Sequence, residues 1–184
     1  MQVLPPAEET MFAFFKETPG LHISKPEIQI RIDTIEIDNL GFSIVKGTQL
    51  FRGIPIHGMN FTFNSSSQNE RFMGCTLDTA LIDVVPLRLS AAEAVRIAEK
   101  DLRLTTEINP PTEQMKQLLN YEGPISEAIY YPVTLNAYRY CYKIIIRPNF
   151  RDEWIYYIDA NSGEVVEKHN NTPSGGSNMG TRRI

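Results

Sequence analysis

The sequence predicts an α+β protein made of two small units, each a helix packed on an antiparallel sheet. In each half of the 184-residue chain, a segment with apolar residues at helical spacing precedes several segments in which apolar and polar residues alternate. With 42% hydrophobic and 22% charged residues, the chain can bury a core. We expect a first unit at 1–85, a second at 86–170 and a flexible tail at 171–184.

The composition excludes several classes of protein. A net charge of −4 and the lack of a basic block argue against an extended nucleic-acid interface. The apolar runs are short and interrupted by charge, so we expect no membrane span. Met1–Pro6 has neither the basic nor the apolar region of a secretory signal, so the protein is either cytosolic or its signal has been removed.

The first half predicts one helix followed by an antiparallel meander. Met11, Phe14 and Phe15 share one face of a predicted helix over 7–18, with acids in its first turn. Alternating isoleucines begin the strands, and glycines at 41, 47, 53 and 58 mark predicted breaks. Strands are predicted at 28–32, 35–37, 42–45, 48–51, 54–57, 60–63 and 71–77.

The second half predicts two helices and a second meander. Ser90 and Glu93 form a capping box before an apolar stripe, and another helix opens at Thr112. Asp159 is expected to hydrogen-bond its own backbone and Gly163 to take positive φ, which closes the last hairpin. Strands are predicted at 128–134, 137–148, 153–159 and 164–168.

Three segments resemble parts of known propeptides, in the same order along the chain. The hairpin over 154–166 resembles the closing hairpin of PepSY domains, and 89–98 is similar to the opening of the PepSY helix. The segment over 49–58 resembles the core of the fungalysin/thermolysin propeptide motif. The residues that carry the resemblance are Gln49, Gly53, Pro55, Gly58, Ser90, Glu93, Ala94, Trp154, Asp159, Ala160, Gly163 and Glu164.

This resemblance implies the pro-region of a secreted or periplasmic thermolysin-like zinc metalloprotease. Such a pro-region assists folding of the catalytic domain, its partner in cis, and inhibits it until cleavage. The chain itself has no H-E-x-x-H motif, and His22, His57 and His169 lie in separate segments, so we expect no enzyme activity, metal or cofactor. Two alternatives remain: a stand-alone PepSY-type binding or inhibitory module, and a small-molecule-binding cystatin-like domain.

The predicted tail is the candidate inhibitory and processing segment. It resembles, over 175–184, the glycine-rich start of a mature thermolysin-like catalytic domain. His169 precedes it, where a propeptide of this family would enter the protease cleft, and contact with the zinc ion is a further hypothesis for this residue. The candidate residues are His169, Asn170, Asn171, Thr172, Pro173 and Ser174.

Cysteines and aromatic residues leave two questions open. Cys75 and Cys141 are either two buried small hydrophobic residues or a disulfide. Neighbouring tyrosines on a strand alternate faces, so half are expected in the core while the rest either cover the surface or contact a partner enzyme. These aromatic residues are Tyr130, Tyr131, Tyr138, Tyr140, Tyr142, Trp154, Tyr156 and Tyr157.

Overall fold

The computed structural model describes residues 6–18, 27–39, 42–66, 69–75, 77, 79–109, 111–135 and 137–172. These residues form three α helices, nine strands and one 3₁₀ turn, which confirms the predicted α+β class. The helices are α1 (Pro6–Glu17), α2 (Ala91–Leu102) and α3 (Glu113–Leu119), and the 3₁₀ turn is Thr79–Leu81. The strands are β1 (Ile28–Ile37), β2 (Ser43–Phe51), β3 (Ile54–Ser65), β4 (Glu70–Gly74), β5 (Ile82–Asp83), β6 (Ile125–Thr134), β7 (Ala137–Ile146), β8 (Trp154–Asp159) and β9 (Val165–Asn170).

The chain divides into two compact units by its internal contacts. Unit 1 contains Met1–Arg88 and Ala128–Cys141, and unit 2 contains Leu89–Glu127 and Tyr142–Ile184. The sequence predicts 128–141 in the second unit. These residues join unit 1 because Ile56 pairs with Tyr130, and Ile82 with Tyr138, in parallel strand pairs.

Unit 1 is built on the antiparallel strands β1, β2 and β3, with β4 paired to β3. The amphipathic helix α1 lays Met11 and Phe15 against Val45, Phe61 and Phe63. These side chains form one of the buried hydrophobic clusters of the unit. The helix therefore packs on the sheet as its apolar spacing predicts.

The predicted break at Gly47 is wrong, because β2 runs without interruption through this glycine. A Cβ atom at Gly47 would lie 2.6 Å from the ring of Phe61 and 2.8 Å from the carbonyl oxygen of Arg31. The glycine therefore leaves room for an aromatic ring on the neighbouring strand, which is another reason for a glycine inside a strand. The predicted breaks within β1 and β3 are also wrong, because each strand is continuous. At these points only the register of its pairing with β2 shifts.

Unit 2 contains α2, α3, the first residues of β6, the second half of β7, and the strands β8 and β9. Ala94, Ala98 and Leu102 of α2 pack against Ile144 of β7 and Tyr156 of β8. The predicted helix at Thr112 is confirmed, since the Thr112 hydroxyl accepts a hydrogen bond from the backbone amide of Met115 at the start of α3. Strands β8 and β9 form the predicted antiparallel hairpin, in which Trp154 pairs with Asn170 and Tyr157 with Glu167.

The expectations for the tyrosines and cysteines need correction. Tyr130 and Tyr131 are both buried although they are neighbours on β6, and Tyr156 and Tyr157 are both buried on β8. None of the eight aromatic residues named from the sequence, all of them described, is exposed. Four of them are buried, as expected for half of the set, and the other four are half-buried: Tyr138, Tyr140, Tyr142 and Trp154. Cys75 is exposed rather than buried, Cys141 is buried, and no disulfide joins them.

In the described part of the chain, no helix combines the length and the apolar character needed to cross a bilayer.

Candidate functional site

The turn between β8 and β9 is organised by the side chain of Asp159. Its Oδ1 atom accepts hydrogen bonds from the backbone amides of Asn161 at 2.8 Å and Ser162 at 2.9 Å. The Asp159 carbonyl accepts the amide of Gly163 at 2.9 Å, and Gly163 has a φ of +77°. Glu164 is exposed on the far side of the turn. The predicted turn is confirmed.

This turn fits against the start of α2. The carbonyl of Ala160 accepts the amide of Leu89 at 2.9 Å, and Ala160 is fully buried. A Cβ atom at Gly163 would lie 3.2 Å from Leu89 Cδ1 and 3.3 Å from Ile97 Cδ1. The two sequence segments that resemble PepSY domains are therefore in direct contact.

The start of α2 is fixed by the predicted capping box. The Ser90 amide donates to Glu93 Oε2 at 2.8 Å, and the Glu93 amide donates to Ser90 Oγ at 3.3 Å. Hydrogen bonds from the Ser90 backbone and hydroxyl lower the pKa of Glu93. The buried Ala94 follows inside the first turn, and half-buried Trp154 packs against the same core. The capping box thus fixes the N-terminus of α2, the end of the helix that contacts the β8–β9 turn.

A polar cluster that the sequence did not predict ties the end of α2 to the hairpin. Lys168 Nζ donates to Asp101 Oδ2 at 2.5 Å, and the Tyr156 hydroxyl donates to the same oxygen at 3.0 Å. The hydrogen bond from Lys168, with that from Tyr156, lowers the pKa of Asp101. Burial, reinforced by the bond to Asp101, raises the pKa of Tyr156. We call these residues the Asp101 clasp.

A second cluster, the Glu153 clasp, holds the chain where β9 ends. The carboxylate of Glu153 pairs with Arg147 and accepts the side-chain amide of Asn171 at 2.6 Å. Its backbone carbonyl accepts the amide of Asn171 at 2.7 Å, and its own amide donates to Thr172 Oγ1 at 3.0 Å. Residues 171 and 172 are thus anchored to the start of β8, and the predicted start of the tail at 171 is too early.

The other tail candidates divide between β9 and the undescribed region. Asn170 is the last residue of β9. His169 Nδ1 lies 3.4 Å from Glu167 Oε1, and its ring centre lies 6.3 Å from that of Tyr157. No cluster of His, Cys, Asp or Glu able to hold a metal ion occurs among the described residues. Pro173 and Ser174, like His22 and 175–184, lie outside the described residues.

The side chain of Gln49 joins two segments of unit 1. It is fully buried on β2, where the pairing with β3 shifts between Thr48 and Leu50. Its Nε2 donates to the carbonyl of Leu77 at 3.1 Å, and its Oε1 accepts the amide of Leu77 at 2.8 Å. The Gln49 side chain takes the place of a backbone partner for Leu77. The buried side-chain amide and the amide and carbonyl of Leu77 are therefore all hydrogen-bonded.

The other motif residues of this segment shape the β2–β3 hairpin. Arg52 and Gly53 both have positive φ, at 49° and 81°, as the central pair of a type I′ turn requires. Pro55 pairs with Leu50 just after the turn, and Gly58 has a φ of +77° within the irregular part of β3. All of these residues lie in unit 1, whereas the PepSY-like residues lie in unit 2. The sequence motifs therefore form two separate structural features.

The described residues define an α+β module with tightly positioned turns. Residues 88–169 match the family described as PepSY, the peptidase propeptide and YPEB domain. The match covers a little under half of the chain, and this segment is similar to PepSY domains, which are non-catalytic modules.

The Bacillus megaterium YpeB C-terminal domain is among the solved structures similar to this chain. The two chains are 11% identical, the TM-score is 0.40, and the similarity covers 92% of this chain and 66% of the other. A likeness this distant carries no functional argument.

Proposed function

We propose that this chain acts as the pro-region of a secreted thermolysin-like metalloprotease, assisting the folding of the catalytic domain and inhibiting it until cleavage. The PepSY match over 88–169 carries the proposal, because the family is described by its occurrence in peptidase propeptides. The motif residues at 49–58 support it through their resemblance to the propeptide motif that precedes PepSY in such proteases.

The inhibitory mechanism rests on the Glu153 clasp. It anchors the chain at Thr172, which gives the segment after it a fixed starting point. A segment held in this way enters the protease cleft at a high effective concentration once the folded module has docked. Docking to the native catalytic domain and not to its unfolded chain stabilises the native enzyme by mass action. We place cleavage between Thr172 and Asn178.

The inhibition constants of two truncated chains test this mechanism. A chain that ends at Thr172 retains the whole clasp, whereas a chain that ends at Asn178 also contains the segment proposed to occupy the cleft. Both are expected to inhibit the mature protease, the longer one more strongly. Equal inhibition would leave docking of the folded module as the whole source of affinity, and no inhibition by either would remove the proposed function.

The genomic sequence that follows Ile184 separates this proposal from the stand-alone alternative. A downstream H-E-x-x-H motif in the same reading frame places a zinc peptidase in cis, as the proposal requires. A stop codon directly after Ile184 favours a binding or inhibitory module that acts on another protein. Three cavities among the described residues, of about 210, 220 and 280 Å³, are smaller than the roughly 300–1,000 Å³ of typical ligand sites, so these three give the small-molecule alternative no support.

A further inference from the structure

A cavity of about 220 Å³ opens in unit 2 beside the C-terminal end of α2. Arg103 and Glu99 line it from the helix, Ile108 from the loop that follows, and Ile146 and Arg147 from the end of β7. Tyr121, just after α3, completes this part of the wall. The proposed pro-region role assigns nothing to this cavity.

Tyr121 brings an unused hydrogen-bond donor to the cavity. Its side chain is almost fully buried, and its hydroxyl oxygen accepts the backbone amide of Arg147 at 3.0 Å. A tyrosine hydroxyl can also donate, and no described residue accepts its proton. Since a buried donor without an acceptor is unfavourable, the cavity suits a ligand that brings an acceptor.

The wall also carries a guanidinium group that an anionic acceptor can recruit. Each of its two arginines has a carboxylate partner, Glu99 for Arg103 and Glu153 for Arg147. Arg147 is paired with Glu153 but has further N–H groups to donate. Arg103 is more than half exposed and lies 3.4 Å from Glu99, a helical surface pair of the kind that contributes little. The Arg103 guanidinium can therefore turn toward an arriving carboxylate, whose geometry it matches.

The apolar part of the wall indicates what carries this acceptor. Ile108 and Ile146 line the cavity together with Pro111 and Pro124, which are rigid and have no side-chain donor or acceptor. The volume suits one side chain or one chain end rather than a larger ligand.

We propose that this cavity binds a carboxylate on an aliphatic stem, presented by a peptide segment of a partner. A glutamate side chain and the C terminus of an aliphatic residue share this chemistry. Arg103 and Tyr121 hold the carboxylate, and the isoleucines and prolines contact the stem. The site does not depend on the proposed pro-region role.

Titration with three acetylated pentapeptides tests this site. The first has four alanines and a C-terminal leucine with a free carboxylate, the second is its C-terminal amide, and the third is an amidated pentaalanine with a central glutamate in place of alanine. Calorimetry measures the affinity for each peptide, and changes in the amide chemical shifts around Arg103 and Tyr121 locate the binding site. We expect an acid-bearing peptide to bind about tenfold more tightly than the neutral amide, because charge-assisted hydrogen bonds are stronger than neutral ones. The tighter of the two acidic peptides identifies the source of the carboxylate.

Arg103→Gln and Lys100→Gln form a matched pair of variants. Both remove one positive charge from an exposed position near the end of the same helix, but only Arg103 lines the cavity. We expect Arg103→Gln to lower the affinity for the acidic peptide about tenfold and Lys100→Gln to leave that affinity unchanged. The proposal is overturned if no peptide binds, if acid and amide bind equally, if Arg103→Gln has no effect, or if both variants weaken binding equally.

Discussion

The two units attach their helices to their strands by different chemistry. In unit 1, α1 is held by aromatic rings: Phe15 meets Phe61 edge-to-face at 5.4 Å, and Phe14 lies 5.2 Å from Phe63. In unit 2, α2 presents small alanines to the core, and hydrogen-bonded side chains fix both of its ends. Aromatic pairs accept a range of offset and edge-to-face arrangements, whereas charge-assisted hydrogen bonds require closer alignment of donor and acceptor. The PepSY match over 88–169 contains α2 and the hairpin of β8 and β9, together with 128–141 of unit 1.

Removing a ring from the core of unit 1 gives the largest expected effect. Phe63→Ala leaves a cavity beside Phe14 and Phe15 and should destabilise unit 1 by about 3–5 kcal/mol. Hydrogen exchange of β2 and β3 measures the loss. Fluorescence of Trp154, the chain's only tryptophan, follows the core of unit 2 separately. Phe42→Ala, at an exposed position, is the control. Equal destabilisation of unit 2 would contradict the view that each unit has its own hydrophobic core.

Gln49→Met tests the buried hydrogen bonds of unit 1 at nearly constant side-chain volume. The variant leaves the amide and carbonyl of Leu77 without their partner, and we expect a loss of about 1–3 kcal/mol. Denaturant unfolding followed by hydrogen exchange near Leu77 measures it. Gln29→Met makes the same change at an exposed position of β1. Equal effects at the two positions would mean that the buried amide contributes nothing specific.

Gly163→Val tests the turn that contacts α2. A β-branched residue is strained at a φ of +77°, and its side chain would crowd Leu89 and Ile97, so we expect a loss of about 1–3 kcal/mol in unit 2. Gly58 has the same φ, but no atom lies within 4 Å of a Cβ built there. Gly58→Val therefore shares the strain without the crowding. A loss at Gly163 no larger than the loss at Gly58 would contradict the proposed close packing.

Removing the Asp101 clasp is expected to change the free energy of unfolding least, and the change is expected to depend on pH. Because the folded-state pKa of Asp101 is lowered, its stabilisation is present above the unfolded value of about 4 and is lost as the pH falls through the folded-state pKa. Asp101→Asn should cost at most about 1 kcal/mol at pH 7, since the clasp is partly exposed, and should reduce the loss of stability below pH 4.

Thermal unfolding between pH 7 and 3, followed by Trp154 fluorescence, measures this effect. Glu107→Gln, at an exposed acid of the same unit, is the control. If the Asp101→Asn variant loses as much stability between pH 7 and 3 as the unmodified protein does, the clasp does not contribute to the pH dependence of stability.

The local features of the fold could be predicted from the sequence. The capping box of Ser90 and Glu93, the N-cap at Thr112 and the turn of Asp159 and Gly163 each depend on residues a few positions apart. Short spacing fixes which groups can meet, so the residue types alone identify the geometry.

The remaining features depend on contacts between distant residues. Gln49 reaches Leu77 and Lys168 reaches Asp101, and no local pattern indicates either partner. Gly47 gives the same sequence signal as a turn glycine, although its role is to make room for Phe61. Alternation divides neighbouring tyrosines between core and surface only if one face of the sheet is solvated, an assumption that the burial of both Tyr156 and Tyr157 contradicts.

Refolding of the protease catalytic domain in the presence of this chain tests the central proposal most directly. The thermolysin-like catalytic domain that the proposal places in cis is denatured, diluted into buffer with and without an excess of the chain, and assayed for peptidase activity after the chain has been removed by proteolysis. We predict that the chain raises the recovered activity several-fold and that Gly163→Val, which disturbs the contact between hairpin and helix, raises it less. Recovery no greater than with an equal mass of serum albumin would contradict the proposed pro-region function.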